Sequence, residues 1–353
     1  MGEGKNLIGV DIGSSSIKVC QIREQRKSYE LVALGYAPLP PQVIVDGQIM
    51  DGQAIADTLQ HIWDSARIRQ REVSLSVSGQ NAIIRKVTVP MMSAAELQEQ
   101  IQWEAEQHIP FDIKDVQVDY QVLKRHPDTS QMDLLLVAAK RDQINDYAQL
   151  ARDARLKPVV CDIDAFSIQN LFELSRGLPP EETIALVNVG ANLTSLNIIA
   201  SGVSAFSREI ANGGSMITEQ IQKQLGIAYE QAETLKCALG NGGPEPVPPE
   251  VLPIVESATD SIAAEIQRSL DFFMATSGDS EISRIYLTGG TSRLPTLAQA
   301  IERRARVGVE VWAPTEKVSV QGKRIDPALL ATRGSQLAVA LGLALRKEKE
   351  QRS

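Results

Sequence analysis

Cysteine, histidine and aromatic side chains are scarce in this chain: three of the first, three of the second, and 4% Phe, Trp and Tyr among 353 residues. Cys20, Cys161 and Cys237 are odd in number and widely spaced, which excludes a disulfide framework or a thiolate metal cluster and points to a reducing compartment. His61, His108 and His126 share no ligand spacing, so they read as solvated or partly packed side chains. Basic charge is short as well. Lys and Arg total 36 against 44 Asp and Glu, a formal charge of −8, and no Lys/Arg block exceeds three residues. That balance excludes an electrostatic grip on nucleic acid and argues against direct binding to anionic lipid. No apolar run approaches the ~18 residues a spanning helix needs, and MGEGKNLIGVDIG lacks the basic start and long apolar core of a signal peptide. A cytoplasmic protein is expected, reaching a membrane only through a partner.

What the chain does have is one pattern of strands and turns, used twice. Its length is more than double the ~150-residue domain prior, so several subdomains are expected. NLIGVDI, SIKVCQI and SYELVALGYA read as a β-meander. A loop rich in Pro and Gly follows, then a helix with Ile55, Leu59, Ile62 and Trp63 at helical spacing, then the strand EVSLSVSG; residues 1–80 form the core of a first lobe. Residues 81–162 read as a β-α-β-β-α-β unit inserted into that lobe, its first helix opened by a Ser93/Glu96 capping box and stopped before Pro110. Ile101 and Trp103 on that helix are expected in the core. Residues 163–182 return to the first lobe. From Thr183, IALVNVG, TSLNIIA and VSAFSREI repeat the meander, so 183–212 opens a second, similar lobe. A helical unit over 213–280, with a Pro-rich loop at 240–253, is followed by a return to the second lobe over 281–331. Residues 332–353 make a closing helix on the first lobe, with RKEKEQRS as a frayed polar tail.

Four segments hold the chemistry. In VDIGSSSIKV, Gly13 permits the positive φ that some tight hairpins need. The amides and hydroxyls of Ser14, Ser15 and Ser16 can converge on phosphate oxygens beside Lys18, and Asp11 can hold hydrated Mg²⁺. Taken alone, Asp-x-Gly-Ser is also ordinary turn chemistry. A second copy shifts the balance: Asn188, Gly190, Ala191, Asn192 and Thr194 in VNVGANLTSL form another small-residue hairpin, and two such hairpins can clamp a polyphosphate from both sides. Asn188 stands where the first copy has Asp11. An amide can orient a metal-bound water but supplies neither negative charge nor a base, so the copy speaks for binding more than hydrolysis. IYLTGGTSRLP puts Gly289 and Gly290, with Thr291, at a strand end where backbone can lie against a base or ribose. GGSMITEQIQKQLGIAYEQAETLK places Gly213 and Gly214 before a Thr-initiated helix and sets Glu233 and Lys236 on one helical face. Such a pair suits ribose and adenine contacts, or simply a solvated surface.

In this order, with the closing helix TRGSQLAVALGLALR, the segments resemble the two phosphate motifs, the adenosine motif and the connecting motifs of the actin-like ATPase superfamily. SAAELQEQIQWEAEQHIPF, GGSMITEQIQKQLGIAYEQAETLK, AAEIQRSLDFF and IYLTGGTSRLP further resemble its FtsA/PilM branch, over nearly the whole chain. The resemblance implies a two-lobed α/β actin-like ATPase fold with an inserted βαββαβ subdomain and a cleft for ATP with Mg²⁺. Asp11, Gly13, Ser14, Ser15, Ser16 and Lys18 would meet phosphates and metal on one side, with Asn188, Gly190, Ala191, Asn192 and Thr194 on the other. Gly213, Gly214, Glu233, Lys236, Gly289, Gly290, Thr291 and Arg293 would surround the nucleoside. A carboxylate before the lobe-linking helix positions the attacking water in related ATPases, and Asp162 in CDIDAFSIQNL is its nearest match, with Asp164 two residues on. The branch also implies partners: the N-terminal cytoplasmic tail of the membrane protein PilN, then PilO/PilP and pilus motor or platform proteins through that complex. The alternatives are an FtsA-like filament, for which RKEKEQRS offers no amphipathic membrane helix, and a small-molecule kinase, for which no acceptor signature is present.

Overall fold

The computed structural model describes residues 3–25, 28–45, 47–78, 82–241, 247–277, 281–320 and 325–349. After the short β1 (Glu3–Asn6), the strands β2 (Ile8–Ile12), β3 (Ser16–Gln25) and β4 (Ser28–Pro38) form the expected antiparallel meander, with Asp11 opposite Lys18. β2 is buried along its whole length, as suits a central strand covered on both faces. Within the following loop β5 (Ile44–Val45) pairs with β6 (Gln48–Ile49). Asp51 caps α1 (Gly52–Ser65), accepting from Ala54 N at 3.0 Å, and Ile55, Leu59, Ile62 and Trp63 form its buried stripe. β7 (Glu72–Val77) then enters parallel to β2.

Here the chain leaves for a smaller sheet. β8 (Ala82–Pro90), α2 (Ala94–His108), β9 (Val116–His126) and β10 (Gln131–Lys140) form an antiparallel unit of strand order β8-β10-β9, with α2 packed on one face. The Ser93/Glu96 capping box is present. Ile101 is buried, but Trp103 is 62% exposed, contrary to expectation. The buried face of α2 carries Leu97, Ile101, Glu104 and Ala105, and a residue two beyond Ile101 falls about 200° round the helix.

The next two elements follow the expected order but serve a different sheet. α3 (Arg141–Asp153) packs Tyr147, Leu150 and Ala151 against Leu59 and Trp63, and β11 (Lys157–Ile163) pairs in parallel with β7. The expected boundary at residue 162 therefore moves to the end of β10. Parallel strands need a crossover connection, and α3 supplies it for β7 and β11, with the small sheet hanging from that crossover. α4 (Asp164–Arg176) links the lobes, and Arg176 at its end reaches Glu310 at 2.6 Å and Glu316 at 2.8 Å.

The second lobe repeats the first. β12 (Thr183–Val189), β13 (Thr194–Ala200) and β14 (Val203–Ile210) form an antiparallel meander. The helices α5 (Gly214–Leu225), α6 (Tyr229–Asn241) and α7 (Val251–Thr276) pack over it. α7 takes Val251, Leu252 and Pro253 from the expected Pro-rich loop, of which 242–246 lie outside the described residues. β15 (Ile282–Thr288) joins parallel to β12; after α8 (Pro295–Ala305), β16 (Val309–Val311) joins parallel to β15.

The return to the first lobe comes earlier than expected. β17 (Val318–Ser319) already pairs with β4, giving the first lobe the order β11-β7-β2-β3-β4-β17. The expected closing helix is divided into α9 (Pro327–Arg333), a 3-10 turn over Gly334–Leu337, and α10 (Ala338–Ala344). The tail is not frayed through Lys349: β18 (Lys347–Lys349) pairs with β1, and Lys347 Nζ meets Glu24 at 2.8 Å. Residues 350–353 of that expected tail lie outside the described residues. An apolar cluster containing Cys20, Leu171, Phe172, Ile184, Trp312 and Leu341 joins the lobes where α4 crosses α10.

Candidate functional site

The first hairpin brings Asp11 and Lys18 to opposed positions on β2 and β3, with Oδ2 and Nζ 3.2 Å apart and both residues buried. Gly13 N donates to Ser16 O at 3.1 Å and closes the turn, and Leu39 N donates to Ser15 O at 2.9 Å. Gly13 does not use the positive φ open to it. Its lack of a side chain matters for space instead, since a Cβ there would lie 2.9 Å from Lys18 Nζ. Ser14 and Ser15 remain accessible at the hairpin tip, while Ser16 is buried.

The second hairpin is cross-braced by backbone. Gly190 N donates to Leu193 O at 2.9 Å; Gly190 O accepts from Gly214 N and from the Thr291 hydroxyl, each at 2.9 Å, and Ala191 O accepts from Ser215 N at 2.8 Å. The glycines permit this approach. A Cβ on Gly213 would fall 2.6 Å from Ala191 O, and one on Gly214 would fall 2.5 Å from Thr291 Oγ1. Gly289 combines a φ of +94° with a Cβ position 2.4 Å from Val189 O and 2.6 Å from Asn188 Oδ1. Three separate segments are thus sewn into one wall. Thr194 is fully buried and donates to Asn212 O at 2.8 Å, so its hydroxyl braces the hairpin. Asn192 is half-buried at the turn, and Gly290 packs on Gln336.

α5 begins at Gly214, four residues ahead of the expected threonine start. Thr218 therefore lies inside the helix, with its hydroxyl on Gly214 O and on Glu233. Glu233 and Lys236 do not form a solvated surface. Lys236 Nζ is largely covered and donates to Glu233 at 2.6 Å, Thr218 at 2.8 Å and Gly214 O at 3.0 Å. Burial pushes the Glu233 carboxyl up, but the Lys236 charge and the donors around it prevail and hold it below the usual carboxylate range. Arg293 Nη1 donates to Ala331 O at 2.8 Å, and Gly240 packs on its stem.

The two carboxylates at the linking helix have different surroundings. Asp162 is buried, accepts from Ile163 N at 2.8 Å, and lies 3.5 Å from Arg346 Nε; burial raises its pKa while Arg346 opposes the rise. Asp164, one residue past the end of β11, is the acid beside Asp11. It is densely surrounded yet keeps part of its surface open to water, and the Ser76 hydroxyl donates to it. Burial pushes its carboxyl up to about 8, with Asp11 and Glu209 adding repulsion while Ser76 and Lys18 pull it back. Ser76 and Glu209, which act on Asp164, were not singled out in the sequence, and Asp164 was noted only as the second aspartate after Asp162. The only local signal was the second aspartate in CDIDAF, since Ser76 and Glu209 arrive from distant strands.

Two lobes of one topology, each with a small-residue hairpin at the ends of its strands and joined by crossing helices, define the actin-like ATPase fold. Structural comparison agrees. MreB 5 of Spiroplasma citri, solved with AMPPNP, superposes with a TM-score of 0.53 at 14% identity, covering 96% of this chain and 95% of that one. The chain belongs to the family described as type IV pilus assembly protein PilM, which it matches over residues 9–348. A solved PilM-PilN type IV pilus biogenesis complex contains a chain that is 29% identical, with a TM-score of 0.84 over 99% of this chain and 100% of that one. The cell division protein FtsA of Rhizobium meliloti (strain 1021) is 29% identical over 182 residues, 46% of this chain and 39% of that protein. Among the described residues no helix is long and apolar enough to cross a membrane.

Proposed function

We propose that this pilus-assembly component binds Mg·ATP between its lobes and docks the N-terminal cytoplasmic tail of PilN at its inserted subdomain. The observation that carries the nucleotide reading is the pairing of Asp11 and Lys18 on one hairpin with the glycine wall of residues 190, 213, 214 and 289 on the other. Phosphates would meet Lys18 and the hairpin amides, and the nucleoside would lie toward Lys236, Glu233 and Arg293. Among the described residues no three His, Cys, Asp or Glu side chains converge on a metal. A hydrated Mg²⁺ would be held through water by Asp11. The metal would neutralise phosphate charge beside three acidic groups, and Asp164 is better placed than Asp162 to orient a water.

The partner reading rests on the similar chain in the PilM-PilN complex and on two strand edges. β9 and β11 end their sheets with no outer strand among the described residues. The charge of Asp119 on β9 is felt by Asp162 of β11. A short tail in extended form suits such an edge, with backbone on the strand and apolar side chains in pockets. Through PilN the chain would sit at the cytoplasmic side of the inner membrane, with PilO/PilP and the pilus motors beyond.

A single-turnover assay with labelled Mg·ATP, reading bound nucleotide and released phosphate together, tests the first half. Bound and slowly cleaved ATP is expected; no retained nucleotide at high micromolar protein removes the reading. Calorimetry with a synthetic PilN tail tests the second half, and no heat at the same concentration would end it.

A further inference from the structure

At the opposite edge of the first lobe from the cleft lies a second concavity. It has a volume of about 690 Å³ and is lined by Lys5, Gln21, Arg67, Arg69, Glu72 and Glu348, among others. Glu72 opens β7 and Ser76 nears its end, so the two sites are separated by most of a strand, about 13 Å at 3.3 Å per residue. Segments far apart in sequence build it: β1, β3, the turn after α1, and β18.

Three cations line this space, and among the described residues neither Lys5, Arg67 nor Arg69 is in an ion pair. Glu72 is shared with Lys157 at 3.9 Å, which reduces the negative charge it presents. In a chain of net charge −8 this is a local reversal of sign. Arg67 is placed at some cost. α1 ends in a Schellman motif, with Ile68 N on Trp63 O at 3.1 Å and Arg67 N on Asp64 O at 3.2 Å. Arg67 takes the left-handed position at φ 52°, where glycine is favoured. Arg155 and Arg306 end α3 and α8 with the same conformation, so the conformation alone marks nothing. What distinguishes Arg67 is that its side chain lines a cavity with Arg69 and Lys5.

We propose that this concavity is a second anion site, which takes a phosphate ester bearing hydroxyl groups. Guanidinium forks bind phosphate oxygens in pairs, and Lys5 adds a point charge. Glu72, Glu348 and the glutamine amides can accept from or donate to hydroxyls, while the two carboxylates reject an extended polyanion such as nucleic acid. Both a phosphatidylglycerol headgroup and free glycerol 3-phosphate have this chemistry.

The test uses the full chain with saturating Mg·ATP, so that the cleft does not compete. Co-sedimentation with vesicles of phosphatidylglycerol in phosphatidylcholine, against pure phosphatidylcholine, is run beside a calorimetric titration with glycerol 3-phosphate. Each is repeated on Arg67→Gly and Arg69→Gln. Arg67→Gly removes the guanidinium and relaxes the backbone, so its melting temperature should hold or rise. Binding is expected to weaken about ten-fold in each variant. Binding to vesicles alone assigns a headgroup, and binding of the free ester assigns a soluble ligand. Silence in both arms, or binding that survives both substitutions, overturns the proposal.

Discussion

A Cβ placed on Gly342 would stand 1.9 Å from the carbonyl oxygen of Ser167. α10 and α4 therefore touch through bare backbone, and on its other side α10 lies as close to β2, where a Cβ on Gly9 would meet Ala340 O at 2.0 Å. Backbone cannot swing aside as a flexible side chain can. Gly342→Ala should cost about 3 kcal/mol of stability, read from urea unfolding. A cost under about 0.5 kcal/mol would show that the crossing is looser than drawn.

Asn188 and Gly289 are in similar contact: a Cβ on Gly289 would stand 2.6 Å from Asn188 Oδ1, and Asn188 holds the place in its hairpin that Asp11 holds in the first. Asn188→Asp adds a negative charge at nearly constant volume. If its absence limits turnover, phosphate release in a single-turnover assay should rise at least about ten-fold while Mg·ATP retention stays within a few-fold. An unchanged rate would place the limit elsewhere, with Asp164 the next residue to vary.

Asp164 should also leave a signature in the pH dependence of stability. Asp11 and Lys18 face it from the hairpin, Ser76 from β7 and Glu209 from β14, and its charge reaches Tyr147 on α3. Its folded pKa, about 8, lies above the unfolded value near 3.9. The stabilising contribution is thus fully present below about pH 4 and is lost as pH rises toward 8. Asp164→Asn should flatten that slope, matching the parent near pH 4 and exceeding it at pH 9 in thermal melts. Parallel pH profiles would disprove the shift.

On α2 two neighbours should behave oppositely. Ile101 is buried in the small sheet's core, so Ile101→Ala should cost about 2–4 kcal/mol in denaturant unfolding. Trp103 projects outward, and Trp103→Ser should change stability by less than about 0.5 kcal/mol.

Much of this architecture was legible because its signals are local. The β2–β3 hairpin turn, the Ser93/Glu96 box, and the Ile55 to Trp63 stripe each lie within a few residues; the box and the stripe form as read, and the hairpin forms without a positive φ at Gly13. Duplication of the meander was readable for the same reason. What was not legible depends on distant pairing. Nothing within KPVVC says that β11 joins β7 and not the small sheet, and nothing within VSV says that β17 has already crossed to β4. The choice between Asp162 and Asp164 turned on where β11 ends, since a step of two residues moves the acid from Arg346 to Asp11. Arg67 and Arg69 give no signal in the sequence because the walls they share come from β1, β3 and β18.

The crossing of α4 and α10 also has a mechanical meaning. A pin made of backbone resists sliding and leaves rotation as the soft motion, which turns the two lobes into a lever. The small sheet rides on the crossover between β7 and β11, at the strand ends that hold Ser76 and Asp164, while β8 packs against β14 of the other lobe. β9 shares that sheet with β8. The small sheet therefore touches both lobes at once, and any change in the angle between them would fall on its β8 contact with β14.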